Sequence, residues 1–336
     1  MSLSLGKLPP DVMQRYLFGM TGAKSKRVVV APSLGLDFGV VRLGKGAKNG
    51  GYLIVSSDPI TGVSERAGEF AVNVSANDVA TSGNRPELMQ SVILLPEDAS
   101  EADVRRLSAD MNKTAKRLGI AIVGGHTELS LGLHRPIVVT TAFAIAESYV
   151  TSAGARDGDT LMMTKSAGVE GTAILGTDSK FNRRLDRKTV ASASRYFEKL
   201  SVVEEAVSAY KTGSVHAMHD CTEGGVLGAV YEMAKASKLG LEVGEKRIPV
   251  SDETRTVCSA AGVDPLKLIS SGTLLLAVER GKEGRVSESI ASAGSTAVPI
   301  GKLTRGKILL SRGGSKEELT TAPTDEIWRL HRRGTW

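Results

Sequence analysis

The sequence predicts an α+β protein, an α/β sandwich in two halves, and three observations carry that prediction. The chain has 336 residues, enough for two domains at roughly 100–200 residues each. Apolar runs of strand character alternate with stretches of helical period. A joint rich in glycine and charge, residues 152–159, falls near the middle, and after it the pattern restarts with a strand. The expected divisions are a lead-in over 1–27, a first domain over 28–150, a second over 151–312 and a basic tail over 313–336.

In chain order, residues 12–20 form a short amphipathic stretch within a mobile lead-in, and Val28-Val29-Val30 reads as a strand. Asp37 sits where a glycine-flanked turn re-enters a strand. Residues 52–56 form the next strand; Asp58 emerges at its end, and Pro59 stops the ladder. Ala67, Phe70, Ala71, Val74 and Val79 mark one buried helical face, ended by Gly83 and Pro86. Residues 88–95 are strand. Ser100 to Asp103 is a capping box, and Val104, Leu107, Met111, Ala115 and Leu118 give a helical stripe closed by Gly119. Residues 120–123 form a short strand running into Gly124 and Gly125, and 136–146 a long one. The second half offers strands over 161–164, 215–219, 274–278, 297–300 and 307–310. Its helices open after Lys165, cover 204–210, run from Asp220 to Ala236 and span 283–292.

Composition narrows the function classes. Aromatic residues are only 4% and basic side chains are interleaved with acidic ones, which disfavours a nucleic-acid surface. The net charge of +6 suits a phosphorylated small molecule or an acidic protein. Two cysteines, Cys221 and Cys258, make no disulfide framework or zinc pattern. No apolar run reaches membrane length and the N-terminus lacks a signal core, so the expected location is cytoplasmic.

The chemistry concentrates in carboxylates at junctions between elements. Asn77 and Asp78 project from or beside a packed helical face, where a carboxylate needs a partner: Arg85, a backbone cap, or a cation. Asp37, Asp58 and Asp78 together suit Mg²⁺, which takes one or two carboxylates and leaves other positions to phosphates and water. Gly124-Gly125 and Gly224-Gly225 are either ordinary turns or places where backbone N–H groups meet an oxyanion. His216 and His219 lie three apart on a strand, which points them to opposite faces and argues against a metal pair. Cys221 is either a reactive thiol at a helix start or a packed one.

Taken together, Leu36-Asp37, Ser57-Asp58-Pro59, Asn77-Asp78-Val79-Ala80 with Gly83-Asn84-Arg85-Pro86, Gly124-Gly125-His126-Thr127 and Asp220-Cys221-Thr222-Glu223-Gly224-Gly225-Val226 resemble the aminoimidazole ribonucleotide synthetase superfamily. That superfamily includes selenophosphate synthetase, thiamine-monophosphate kinase and the hydrogenase maturation protein HypE, and the likeness to HypE is the strongest. The resemblance implies two α+β domains. The first is a ferredoxin-like half that dimerises through its sheet, so that a barrel spans two subunits. It implies ATP near that interface, Mg²⁺ on Asp37, Asp58, Asp78 and Asp220, and Asn77, Asp78 and the glycines 124, 125, 224 and 225 about the nucleotide. His126 stands where relatives often carry an acid. The resemblance therefore gives His126 a hydrogen bond within the turn or a donor role to a phosphate or substrate oxygen, with Glu128 supplying the missing charge and Asp220 completing the catalytic set. HypE carries its carbamoyl group on a terminal cysteine; this chain ends Arg332-Arg333-Gly334-Thr335-Trp336, so the HypE reaction on its own tail is not expected.

The resulting expectation is a homodimeric, ATP- and Mg²⁺-dependent ligase, cyclase, dehydratase or phosphotransferase. It would activate an amide, carboxylate or phosphate acceptor, on a small molecule or a protein. The other readings are a nucleotide-binding accessory protein acting through a maturation partner and a small-molecule kinase like thiamine-monophosphate kinase. Trp328, Arg329, His331, Arg332, Arg333 and Trp336 of the tail would dock on a partner, fold over the site or form a plain surface helix.

Overall fold

A computed structural model describes residues 5–44, 51–63 and 65–332 of the chain. Arg333 and Trp336 of the tail lie outside the described residues. The first half runs α1 (Pro10–Tyr16), β1 (Val28–Val30), β2 (Gly39–Arg42), β3 (Tyr52–Ile60), α2 (Ala67–Ala80), β4 (Leu88–Pro96), α3 (Glu101–Leu118), β5 (Ala121–Ser130) and β6 (Ile137–Ala146). The second continues with β7 (Thr160–Thr164), α4 (Val169–Thr177), α5 (Arg187–Ser194), α6 (Val203–Lys211), β8 (Val215–Cys221), α7 (Gly225–Ser237) and β9 (Gly240–Gly244). It ends with α8 (Asp252–Ala261), β10 (Thr273–Val278), α9 (Glu283–Ser292), β11 (Ala297–Thr304), β12 (Ile308–Arg312), β13 (Ser315–Glu318) and α10 (Glu326–Arg332).

Two mixed sheets result, ordered β1-β2-β3-β6-β4-β5 and β13-β12-β9-β11-β7-β10-β8. Each contains one parallel pair, β4 with β5 and β12 with β9, among antiparallel neighbours. The first sheet turns Ile54, Met89, Val138, Ala142 and Ala144 towards α2 and α3. The second is covered on both faces: Met162, Leu274 and Leu276 join that same core, whereas Leu161, Met163, Leu275 and Ala277 pack with α7. Helix α2 is therefore central, touching β3, β6 and α3 on one side and α6 and β8 on the other. Sequence periodicity predicts one buried face for it, yet only Glu69 and Val74 escape full burial, because the second half covers what would otherwise be its solvent side.

Local chemistry explains most boundaries. The Ser100 hydroxyl accepts from the Asp103 N–H at 3.3 Å while the Asp103 carboxylate accepts from the Ser100 N–H at 3.0 Å, the expected capping box, and Gly119 closes α3. Strand β3 does not stop before Pro59. It runs to Ile60 with Asp58 opposite Thr140, because β2 has already ended opposite Val55 and a proline is tolerated on a strand with one neighbour. Gly124 and Gly125 lie inside β5, opposite Gln90 and Ser91, rather than in a turn after it; a Cβ on Gly125 would stand 1.8 Å from the Ser91 carbonyl oxygen. Asp220 and Cys221 likewise finish β8 instead of opening a helix, since the left-handed Gly224 and Gly225 delay α7.

The other face of the first sheet has no cover among the described residues. Leu53, Val55, Val92, Val139, Phe143 and Ile145 turn that way, and β5 is exposed along nearly its whole length. Among the described residues no helix is long and apolar enough to cross a membrane.

Candidate functional site

Four carboxyl groups from different elements meet where the two halves join. Asp37 comes from the turn before β2, Asp58 from β3, Asp78 from the last turn of α2 and Asp220 from the end of β8. The side chains of Asp78 and Asp58 are hydrogen-bonded to each other, and the Ser56 hydroxyl lies 2.7 Å from Asp78 Oδ2. Ligand atoms of Asp37, His219 and Asp220 all fall within 4.8 Å of one another. Arg85 does not serve as the partner of Asp78: its guanidinium pairs with Glu204 at 2.6 Å.

The electrostatics of this corner are those of a site short of positive charge. Burial, then the charge of Asp58 and its hydrogen bond, then Asp220 and Asp37, hold the Asp78 carboxyl well above the usual carboxylate range. Burial and Asp37 push Asp220 up to about 8, against the relief given by His219. Asp37 Oδ2 and Asp220 Oδ2 are buried without a hydrogen-bond partner. Oxygen donors that repel each other, with orphaned lone pairs, fit a hard divalent cation such as Mg²⁺.

Two cations already face the cluster, and neither was assigned to it from the sequence. His219 Nδ1 lies 2.5 Å from Asp37 Oδ1, an ion-pair approach without hydrogen-bond alignment, and its Nε2 lies 3.0 Å from Glu232 Oε2. Burial lowers this imidazole, but Asp37 and Glu232 outweigh that and push it up to about 10, so it is an imidazolium at neutral pH. Glu232 accepts from Lys7 Nζ at 2.6 Å. Burial would raise its carboxyl; His219 and Lys7 instead pull it down to about 2. A line of alternating charge, Lys7–Glu232–His219–Asp37, thus leads from the N-terminal segment into the acidic corner. Lys7 is the point at which the lead-in is held, and His219 pairs singly with Asp37 and Glu232 rather than with His216.

The remaining sequence-derived residues fall elsewhere. Asn77 is fully buried, but its amide donates to the Leu200 carbonyl and accepts from the Val202 N–H, both at 2.8 Å, pinning α2 to the second half. Gly224 gives its N–H to Asp325 at 2.7 Å and Gly225 gives its own to the Thr222 carbonyl at 3.0 Å. His126 and Glu128 pair with each other at 3.0 Å on β5, on the uncovered face and away from the carboxylates. Asp58 and Gly125 lie in one row across the sheet, through Thr140 and Ser91, about 14 Å apart at the usual strand spacing. His216 pairs with Asp159 at 2.9 Å. Burial, followed by Asp220, raises the Cys221 thiol, which is packed and not activated. A separate cavity of about 470 Å³ opens at the far end of α2, lined by Arg66, Phe70, Arg135 and Phe197. It lies on the order of 16 Å along the helix from Asp78 and is not part of the corner.

Glu170, on the first turn of α4, is a buried acid outside the corner. Burial pushes its carboxyl up to about 7 despite hydrogen bonds from Ser271. The folded protein therefore holds a proton there that the unfolded chain has released above its ordinary value of 4.5, so this group makes stability fall as pH rises from about 4.5 to 7. Urea unfolding at pH 5 and pH 8 should show Glu170→Gln removing a loss on the order of 1–3 kcal/mol from that interval. An unchanged pH dependence in the variant would mean that Glu170 is ionised throughout.

Comparison with known proteins agrees with this layout. The AIR synthase related protein N-terminal domain matches residues 35–146 and the corresponding C-terminal domain matches 156–310. A putative hydrogenase expression/formation protein of Methanocaldococcus jannaschii is 29% identical over 243 residues, covering 71% of this chain and 70% of that protein. The carbamoyl dehydratase HypE of Escherichia coli is 29% identical over 256 residues, 74% of each. The crystal structure of E. coli HypE superposes with a TM-score of 0.72 at 25% identity over 85% of this chain and 92% of that one. A HypE in complex with ATP gives 0.70 at 21% identity over 97% and 98%.

Proposed function

The chain belongs to the AIR synthase-related family, and from that premise we propose that it binds ATP with Mg²⁺ at the acidic corner and uses it to phosphorylate an acceptor oxygen. The observation that carries this reading is the convergence of Asp37, Asp58, Asp78 and Asp220 with two buried oxygens left unpartnered. ATP in the complex of a similarly folded HypE supports it. Asp37, Asp58, Asp78 and Asp220 would hold the cation, which when bound supplies charge neutralisation for the polyphosphate. His219, fixed between Asp37 and Glu232, would hold the Asp37 carboxylate in place for the cation.

The carbamoyl dehydratase activity in the names of relatives favours a carbamoyl group or another primary amide as the acceptor, presented by a small molecule or a second protein. Its oxygen attacks the γ-phosphorus in line and the bond to ADP breaks. Loss of phosphate and the two amide protons then leaves a nitrile, so that ATP and amide become ADP, phosphate and nitrile. Positioning and charge neutralisation do most of this work. We further propose that two copies join through the uncovered face of the first sheet, which would bring His126, Glu128 and the β5 glycines of one copy towards the site of the other. The test is positional isotope exchange in ATP labelled at the β–γ bridge. Acceptor-dependent scrambling is expected with carbamoyl or primary-amide acceptors; scrambling that no oxygen acceptor stimulates would contradict the reading.

A further inference from the structure

Lys7 and Trp328 close on one carboxylate, and we infer that Glu223 and Trp328 are positioning residues that hold Lys7 at the phosphate corner. Docking of the C-terminal helix and occupancy of the corner are thereby coupled. This rests on the nucleotide reading above. Glu223 lies three residues beyond Asp220, on the loop into α7. Its Oε2 accepts from the Lys7 backbone N–H at 2.8 Å and from Trp328 Nε1 at 3.0 Å. One oxygen therefore joins the N-terminal segment to α10.

The fit around that oxygen is tight. Gly6 has φ +93°, and a Cβ there would stand 2.4 Å from Trp328 Nε1 and 2.7 Å from Glu223 Oε2, so only glycine passes beneath the indole. With the Lys7 backbone fixed, its side chain reaches inward to Glu232 at 2.6 Å. Burial lowers the Lys7 ammonium, but Glu232, and beyond it Asp37 and Asp78, raise it further, which places it within the field of the acidic corner. The side chain still keeps 45% of its surface accessible. A cavity of about 290 Å³, lined by Lys7, Glu223, Gly224, Glu232, Asp325 and Trp328, opens beside the ammonium and leaves it room to move.

Helix α10 is itself well anchored. Ile327 and Leu330 are buried, and Asp325 accepts from the N–H groups of Gly224 at 2.7 Å and Ile327 at 2.8 Å. Asp325 thereby ties the tail to the same loop that carries Glu223. Over residues 325–332 the tail packs against the loop that carries Glu223 and completes the clasp.

Calorimetric titration of the full chain with Mg²⁺ and a non-hydrolysable ATP analogue tests this. Lys7→Met should weaken binding about 10- to 100-fold, and Trp328→Phe, which keeps an aromatic ring but loses the N–H, about 3- to 10-fold. Glu223→Gln retains an acceptor oxygen and should bind close to wild type, whereas Glu223→Ala should match Trp328→Phe. In a Lys7→Met background, Trp328→Phe should add less than about twofold, because both changes act through one ammonium. Fully additive losses, or a Trp328→Phe variant that binds like wild type while Lys7→Met does not, would overturn the coupling. A wild-type protein that binds no nucleotide would overturn the functional reading and the clasp with it.

Discussion

Asp78→Asn should lower the affinity for Mg·ATP by about a hundredfold or more while leaving the melting temperature unchanged or raised. The two signs are opposed because the corner concentrates negative charge that only a ligand compensates. Asp78 is buried against Asp58, Asp220 and Asp37, all of which destabilise its charge. An asparagine fills the same volume, keeps an oxygen for the Ser56 hydroxyl at the 2.7 Å contact and offers an N–H₂ to Asp58. The fold thus loses a repulsion, and the site loses a cation ligand. Titration calorimetry and thermal unfolding on one preparation measure both quantities. Unchanged affinity with a melting point lowered by about 4 °C or more would make Asp78 a structural residue.

Val92→Asp should turn a dimer of 35.4 kDa chains into monomers at about 10 μM. Val92 keeps 39% of its surface exposed, lies opposite both Val139 and His126, and belongs to a sheet face that nothing among the described residues covers. Leu88, Ile122, Leu129 and Ile145 extend the exposed apolar surface on and around that sheet to 38–59% exposure each, more than a solitary soluble protein usually shows. In a two-fold interface a carboxylate at this position enters twice and without a partner, which costs several kcal/mol. The substitution is tolerated in the monomer because the side chain already faces water. Sedimentation equilibrium would contradict the expectation if the wild type were monomeric at that concentration or the variant remained dimeric.

The parts of the fold that show in the sequence are those written in local chemistry. The Ser100 capping box, the Gly119 stop, the apolar run of β10 and the limits of α9 all lie where residue type alone places them. In strand β3, Pro59 argues for an earlier end, and the ladder runs on to Ile60 only because β2 stops opposite Val55. Strand β9 and helices α5 and α8 carry no clear sequence signal, because their stripes are short and their stability comes from neighbours far away in the chain.

The site divides along the same line. Asp37, Asp58 and Asp78 stand out in the sequence as acids at junctions between elements, and Asp220 through the family resemblance alone; the structure brings the four together. Asn77 shares the motif, but burial gives its amide a structural task. Lys7, Glu232 and His219 carried no motif; what joins them is pairing across 225 residues between Lys7 and Glu232 and 13 between His219 and Glu232. One local signal was available. It is the histidine beside an aspartate at the end of a strand, His219-Asp220, which sets one imidazole next to a site acid.

Anomalous diffraction from crystals grown with Mn²⁺ and a non-hydrolysable ATP analogue tests the central claim most directly. The account predicts a metal peak ligated by oxygens of the Asp37, Asp58, Asp78 and Asp220 group, with the analogue's phosphates on the remaining positions. Nucleotide phosphates bound elsewhere, with no metal peak among those four carboxylates, would contradict it.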